Sequence, residues 1–206
     1  MDVWIIKETC LDRDYESNAT AIQENWIVID IGAGIGDFAV SVAYEHPNCR
    51  IYAYEPFPES YRLLVENIRL NSVNNVTAFS LAVGAQTGIM TLFATGAAVQ
   101  HSTANTSNSV EAISVQGLSL DDVFETNALV LCDFLKIDCE GGEFDIIFNA
   151  STTTLKKIRN ISLEYHNGVT KFSHTDLVTY LQQRGFKVKT VPNPVHSNLG
   201  FLYASQ

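Results

Sequence analysis

The 206-residue sequence predicts an α/β fold: one mostly parallel sheet covered by helices on both faces, with an antiparallel strand near the end. Three observations predict it. An apolar run over residues 26–31 breaks into the loop Gly32-Ala33-Gly34-Ile35-Gly36 and then into a helical pattern over residues 37–45. Strand-like and helix-like runs then alternate along the chain, which is how a parallel sheet with crossover helices is written. The last two strand-like runs are joined by a short connection, PNPVHSN, that suits a hairpin.

The elements follow in order. Residues 3–6 read as a short leading strand, and 26–31 as the first core strand. Residues 36–44 form the first crossover helix, which Pro47 and Asn48 break. Residues 49–54 are the second strand. Pro56 and Pro58 suit a helix entry, and Tyr61, Leu64, Val65, Ile68 and Leu70 recur at helical spacing up to Asn71. Residues 76–81 are the third strand. Gly84 and Gly88 bracket a turn before a small added strand at 89–93.

Residues 94–109 are small and polar without periodicity, so they read as an insertion near the site, a lid or an acceptor-binding segment. Residues 110–115 read as an edge strand, 118–124 as a short helix and 134–137 as the fourth core strand. A helical turn follows at 144–149. Residues 158–165 are the fifth strand, and 175–184 a helix that Gly185 closes. Strands at 186–191 and 200–204 complete the chain. No repeat or linker divides it, so one domain is expected over 1–206, with 1–25 as a lead-in.

Composition narrows the function classes. Hydrophobic residues make up 46% of the chain, which excludes a disordered class, and no stretch approaches the ~20 apolar residues of a membrane span. The first residues carry acids early and lack a long apolar core, so no signal peptide is read and the expected compartment is the cytoplasm. Cys10, Cys49, Cys132 and Cys139 lack C-x-x-C spacing and read as small buried thiols. The net charge is −10, and the densest basic cluster is only Lys156, Lys157 and Arg159. Nucleic acid is therefore disfavoured as a partner, and a small neutral or cationic acceptor fits better.

The glycine loop decides the cofactor. A dinucleotide fingerprint needs G-x-G-x-x-G against a pyrophosphate. Here the third glycine, Gly36, comes one residue early, Asp37 fills the fingerprint's slot, and Asp30 precedes the loop. Two carboxylates would repel a pyrophosphate. They suit the sulfonium and ammonium of S-adenosyl-L-methionine. Glu55 ends the second strand about 20 residues after the loop, where a carboxylate takes ribose hydroxyls.

A second rich segment is Asp133-Phe134-Leu135-Lys136-Ile137-Asp138-Cys139-Glu140-Gly141-Gly142-Glu143. Its strand delivers Asp138 to the carboxyl edge of the sheet, Glu140 follows on the turn, and the fifth strand ends in Glu164-Tyr165-His166. Asp30, Glu55, Asp138 and Glu164 to His166 all fall at strand ends and are expected to converge on one crevice. Methyl transfer to a hydroxyl needs a positioned acceptor and a proton acceptor. His166 is the first candidate base, with Asp138 or Glu140 as the base or as its orienting partner. Lys136 is expected to pair with a neighbouring acid. Asp138, Glu140, Glu164 and His166 are also compatible with a divalent ion, but their spacing forms no recognised cage and no metal site is predicted.

These segments, with Tyr54-Glu55-Pro56-Phe57-Pro58-Glu59, Asn67-Ile68-Arg69-Leu70-Asn71, Leu120-Asp121-Asp122-Val123 and Ile161-Ser162-Leu163-Glu164-Tyr165-His166, resemble the FkbM-type methyltransferases from about residue 26 to 204. The resemblance implies a Rossmann-like class I methyltransferase fold with a seven-stranded sheet. It also implies S-adenosylmethionine-dependent O-methylation of a sugar hydroxyl or a small hydroxylated metabolite. By position, Asp30, Gly32, Gly34 and Gly36 would line the methionine end, Glu55 would bind the ribose, Phe57 would border the adenine, and Asp138 would sit below the sulfonium. Ala33, Pro56 and Ala82 complete the expected cofactor contacts. A non-catalytic binding module, an N-methyltransferase and an NAD-dependent oxidoreductase are the competing readings, and Asp30 and Asp37 argue against the last.

Overall fold

The computed structural model describes residues 7–18, 20–94, 101–102 and 111–206. A π-helical segment, Lys7–Asp12, opens them. The elements that follow are α1 (Asp14–Ser17), β1 (Ile27–Ile31), α2 (Asp37–Glu45), β2 (Arg50–Tyr54), α3 (Pro58–Leu70), β3 (Val76–Phe79), β4 (Ala82–Gly84), β5 (Gly88–Ala94), β6 (His101–Ser102) and β7 (Glu111–Ser119). After these come α4 (Leu120–Thr126), β8 (Cys132–Ile137), α5 (Glu143–Asn149), α6 (Thr152–Leu155), β9 (Ile158–His166), α7 (His174–Gln182), β10 (Lys187–Pro192) and β11 (Leu199–Ser205).

Seven strands form the main sheet in the order β10-β11-β9-β8-β1-β2-β3. β1 lies parallel to β2 and β8, and β8 parallel to β9. β11 runs antiparallel between β9 and β10. The strand order reverses at β1, between β2 and β8, which is where an open α/β sheet leaves a crevice at its carboxyl edge.

Successive residues of a strand point to opposite faces, and β1 uses both. Ile27, Ile29 and Ile31 join a core with Phe124 of α4, Phe144 and Ile147 of α5, and Leu177 and Leu181 of α7. Val28 faces the other way, into a core with Phe38 and Val42 of α2, Leu64 of α3 and Tyr15 of α1. Both faces are thus covered by helices. Local chemistry sets the helix starts. Pro58 opens α3, and Ser119 caps α4 by accepting the Asp122 N–H at 3.1 Å. That cap explains why α4 begins at Leu120 rather than at 118.

The third strand expected at 76–81 is shorter in the structure, and residues 82–84, which the sequence does not mark as a strand, form one. β3 ends at Phe79, and β4 leaves for a second sheet of order β4-β7-β5-β6. The edge strand that the sequence suggests at 110–115 is, over the described residues from Glu111, an inner strand of that second sheet. β7 lies between β4 and β5, and Gly117 near its end leaves room for Met90, whose sulfur would lie 2.5 Å from a Cβ there. The leading strand expected at 3–6 lies outside the described residues, as does most of the insertion expected at 94–109. No helix among the described residues is long and apolar enough to cross a membrane.

Candidate active site

A cavity of about 1300 Å³ opens at the carboxyl ends of β1, β2, β8 and β9. Its first wall is the loop after β1. Gly32 has φ +74, and a Cβ there would fall 1.7 Å from the Asp138 carbonyl oxygen, so only glycine lets the two strand ends meet. Gly34, at φ +55, faces open space. Two remote side chains hold this backbone. Lys136 donates to the Gly32 carbonyl at 2.9 Å. The Glu55 carboxylate accepts the N–H of Gly34 and that of Phe57, both at 2.8 Å. Burial pushes the Glu55 pKa up to about 7, against the pull of those two N–H groups.

Behind the loop, Asp30 and Lys136 are register neighbours on β1 and β8. Their side chains meet at 3.0 Å, with Asp30 wholly buried. Burial raises the Asp30 pKa and Lys136 counteracts it. For Lys136, burial works against the charge, but Asp30, Asp138 and Asp37 outweigh it and hold the pKa above the ordinary value.

The second wall is built from the ends of β8 and β9. Glu143, at the start of α5 and fully buried, accepts the N–H of Gly141 and the backbone N–H of His166, each at 2.8 Å. It also lies 3.2 Å from His166 Nδ1, while Glu140 lies 3.2 Å from Nε2. Burial alone would lower the His166 pKa, yet Glu143 and Glu140 raise it to about 10. The ring is therefore an imidazolium at neutral pH. Glu140 has φ +50, a left-handed conformation rare outside glycine. Burial raises its pKa, and His166 opposes the rise. Ligand atoms of Asp138, Glu164 and His166 come within 4.8 Å of one another, close enough for a metal ion, although both His166 nitrogens already face glutamates.

The model of the methyltransferase FkbM domain matches residues 30–188. The chain belongs to the FkbM methyltransferase family. It is 23% identical over 225 residues to the 31-O-demethyl-FK506 methyltransferase FkbM of Streptomyces tacrolimicus, covering 93% of this chain and 84% of that relative. Among solved structures it resembles the methyltransferase FkbM of Methylobacillus flagellatus at a TM-score of 0.64 and 14% identity, covering 90% of this chain but only 45% of that one. A Streptococcus mutans protein solved with SAH bound superposes at a TM-score of 0.58 and 12% identity, over 95% of both chains.

Within this FkbM fold, Gly32, Gly34, Glu55, Pro56, Ala82, Asp138, Glu140 and His166 line the cavity, as does Glu164. Asp30, Ala33, Gly36 and Phe57 do not. Asp30 lies on the Val28 face of β1, one residue short of the strand end, and pairs with Lys136, which in turn holds the Gly32 carbonyl. Ala33 is buried in the core on that face. Gly36 serves packing, since a Cβ there would lie 2.5 Å from Leu64 Cδ1. Phe57 contributes its N–H to Glu55 rather than a ring to the cavity wall. The ordinary pKa of His166 suggests a free base, whereas in the structure Glu140 and Glu143 lie 3.2 Å from its two ring nitrogens and raise its pKa to about 10.

The sequence reading missed the N-terminal wall. Thr9, Asp14, Tyr15 and Asn18 line the cavity, and Tyr15 donates to Asp138 Oδ2 at 2.7 Å. No periodicity or motif marks that segment.

Proposed function

We propose that this chain is an S-adenosylmethionine-dependent O-methyltransferase whose acceptor is a hydroxyl of a saccharide or of a small hydroxylated metabolite. The observation that carries this reading is one cavity wall. The bare backbone of Gly32 and Gly34 stands beside the carboxylates of Asp37, Glu55 and Asp138. Such a wall fits a ligand that brings a sulfonium, an ammonium and ribose hydroxyls, and it opposes a pyrophosphate. Bound there, S-adenosylmethionine would supply an electrophilic methyl group. Asp37 and Asp138 offer negative charge to its methionine end, Glu55 accepts ribose hydroxyls, and Pro56, Ala82, Val83 and Leu92 give an apolar surface suited to the purine. The oxygen acceptor is supported by the name of the Streptomyces relative.

Glu140 is the proton acceptor in this reading. It lines the cavity, and burial gives its carboxylate more basicity than usual. His166, held as a cation, keeps Glu140 in place. Positioning of the acceptor hydroxyl supplies the larger share of the rate. We also treat residues 1–206 as one methyltransferase domain.

The test is calorimetry with S-adenosylmethionine and S-adenosylhomocysteine, followed by transfer of labelled methyl to pools of sugars and hydroxylated metabolites. Micromolar binding is expected, weakened in Glu55→Ala by about 1.5–3 kcal/mol. No binding by the folded protein sinks the cofactor assignment. Binding without transfer leaves a non-catalytic module, and label on nitrogen replaces the hydroxyl acceptor with an amine.

A further inference from the structure

Tyr15 lies outside the FkbM-matched segment yet lines the cavity. It sits on α1, and its ring meets Phe38 and Phe201 edge-on, with centroids 5.7 and 5.3 Å away. The Lys136 ammonium lies 5.0 Å from the ring centroid. The hydroxyl donates to Asp138 Oδ2 at 2.7 Å, whereas Lys136 is 4.0 Å from the same oxygen. Burial and the adjacent Asp138 raise the phenol pKa far above its ordinary value, so the hydroxyl stays a donor.

The segment that carries Tyr15 is tied down on both sides. Tyr203 donates to the Asp14 carbonyl at 2.6 Å, and Lys189 to Asn18 Oδ1 at 3.0 Å. Arg13 reaches Glu45 of α2 at 2.9 Å. The ring packing asks only for an aromatic. The hydroxyl is what joins this strap to the carboxylate at the end of β8.

We propose that Tyr15 is a positioning residue for methyl transfer. Its hydroxyl fixes the Asp138 carboxylate, so that the positive sulfur of S-adenosylmethionine meets a charge already aimed. This rests on the cofactor reading above. A sulfonium feels that aim, while the uncharged thioether of S-adenosylhomocysteine does not.

The experiment compares the wild type, Tyr15→Phe, Asp138→Asn and the double variant by calorimetry with both ligands, alongside thermal unfolding. Tyr15→Phe keeps the ring contacts, so Tm stays within a few degrees. Affinity for S-adenosylmethionine falls about tenfold while that for S-adenosylhomocysteine changes by no more than about twofold. In the Asp138→Asn background, Tyr15→Phe adds nothing further, because the partner it positions is gone. An unchanged ratio of the two affinities in Tyr15→Phe overturns the proposal, as do additive effects in the double variant. An equal loss of both ligands with a fall in Tm marks a packing role only and overturns it too. If the wild-type protein binds neither ligand, the cofactor reading has failed before any variant is compared, and the Tyr15 proposal falls with it.

Discussion

The glycine-loop wall of the cavity presents backbone that distant side chains hold in shape, whereas the β8–β9 wall presents side chains that neutralise one another. On the first, Lys136 takes the Gly32 carbonyl and Glu55 takes the Gly34 N–H. On the second, Glu140 and Glu143 bracket one imidazolium. The difference teaches a division of labour. A wall of backbone yields space for a ligand and leaves its carboxylates ready to exchange partners. A wall of paired charges holds its protons firmly and keeps the Glu140 carboxylate at the cavity beside an imidazolium.

If that division holds, Glu140→Gln strikes turnover and spares cofactor affinity. The expected loss is on the order of 10²–10⁴-fold in single-turnover rate with labelled methyl, with S-adenosylmethionine affinity kept within about twofold. A variant that transfers at the wild-type rate would return the proton to another group. One that loses affinity instead would erase the distinction between the walls.

The loop wall can be broken by sterics alone. In Gly32→Ala the new Cβ would fall 1.7 Å from the Asp138 carbonyl oxygen, a backbone atom that cannot swing aside. The loop must tear away from β8, at a cost of several kcal/mol and a fall in Tm of roughly 10 °C or more. In Gly34→Ala the Cβ meets nothing within 4 Å, and only the strain of φ +55 remains. That costs about 1–2 kcal/mol and a few degrees. Equal shifts in the two variants would show that the contact with Asp138 does not govern the loop.

The same contrast separates what the sequence reveals from what it conceals. The glycine wall is legible because its requirements are local: positive φ at fixed spacing after a strand, then an acid at the end of the next strand. The mostly parallel sheet with its terminal antiparallel strand is legible for a related reason, since crossover helices and the closing hairpin leave few ways to pair the strands. Asp30 reads as a site residue from its place at a strand end before the loop and from the family resemblance. Which face of β1 it occupies depends on register with Lys136, and that sends it into the core instead. His166 reads as a base from its ordinary pKa, yet its partners, Glu140 on the turn and Glu143 at a helix start, lie more than 20 residues away in sequence. Tyr15 carries no local signal at all, because its hydrogen bond spans 123 residues of sequence. The second sheet was read only as isolated strands, since its pairings close across the aperiodic 94–109 segment.

The smallest expected effect is the sharpest comparison of the two walls. From about pH 6 to about pH 8, His166 keeps its proton, because its pKa lies near 10. Glu55 changes charge in that window, because burial has raised its pKa to about 7. An ionised Glu55 is the better acceptor for ribose hydroxyls, so S-adenosylmethionine affinity should rise about tenfold across those two units, as the ionised fraction climbs from about one-tenth to about nine-tenths. Stability moves the opposite way. A carboxyl whose folded pKa is raised stabilises the native state below its unfolded pKa, and that contribution is lost as pH rises through about 7. Glu55→Gln should flatten the binding profile and remove the Glu55 share of the stability slope, as calorimetry and thermal unfolding across the same buffers would read. A binding profile that stays steep in Glu55→Gln would place the titrating group elsewhere on the cavity, and the loop wall would lose its claim to be the one whose carboxylates exchange partners.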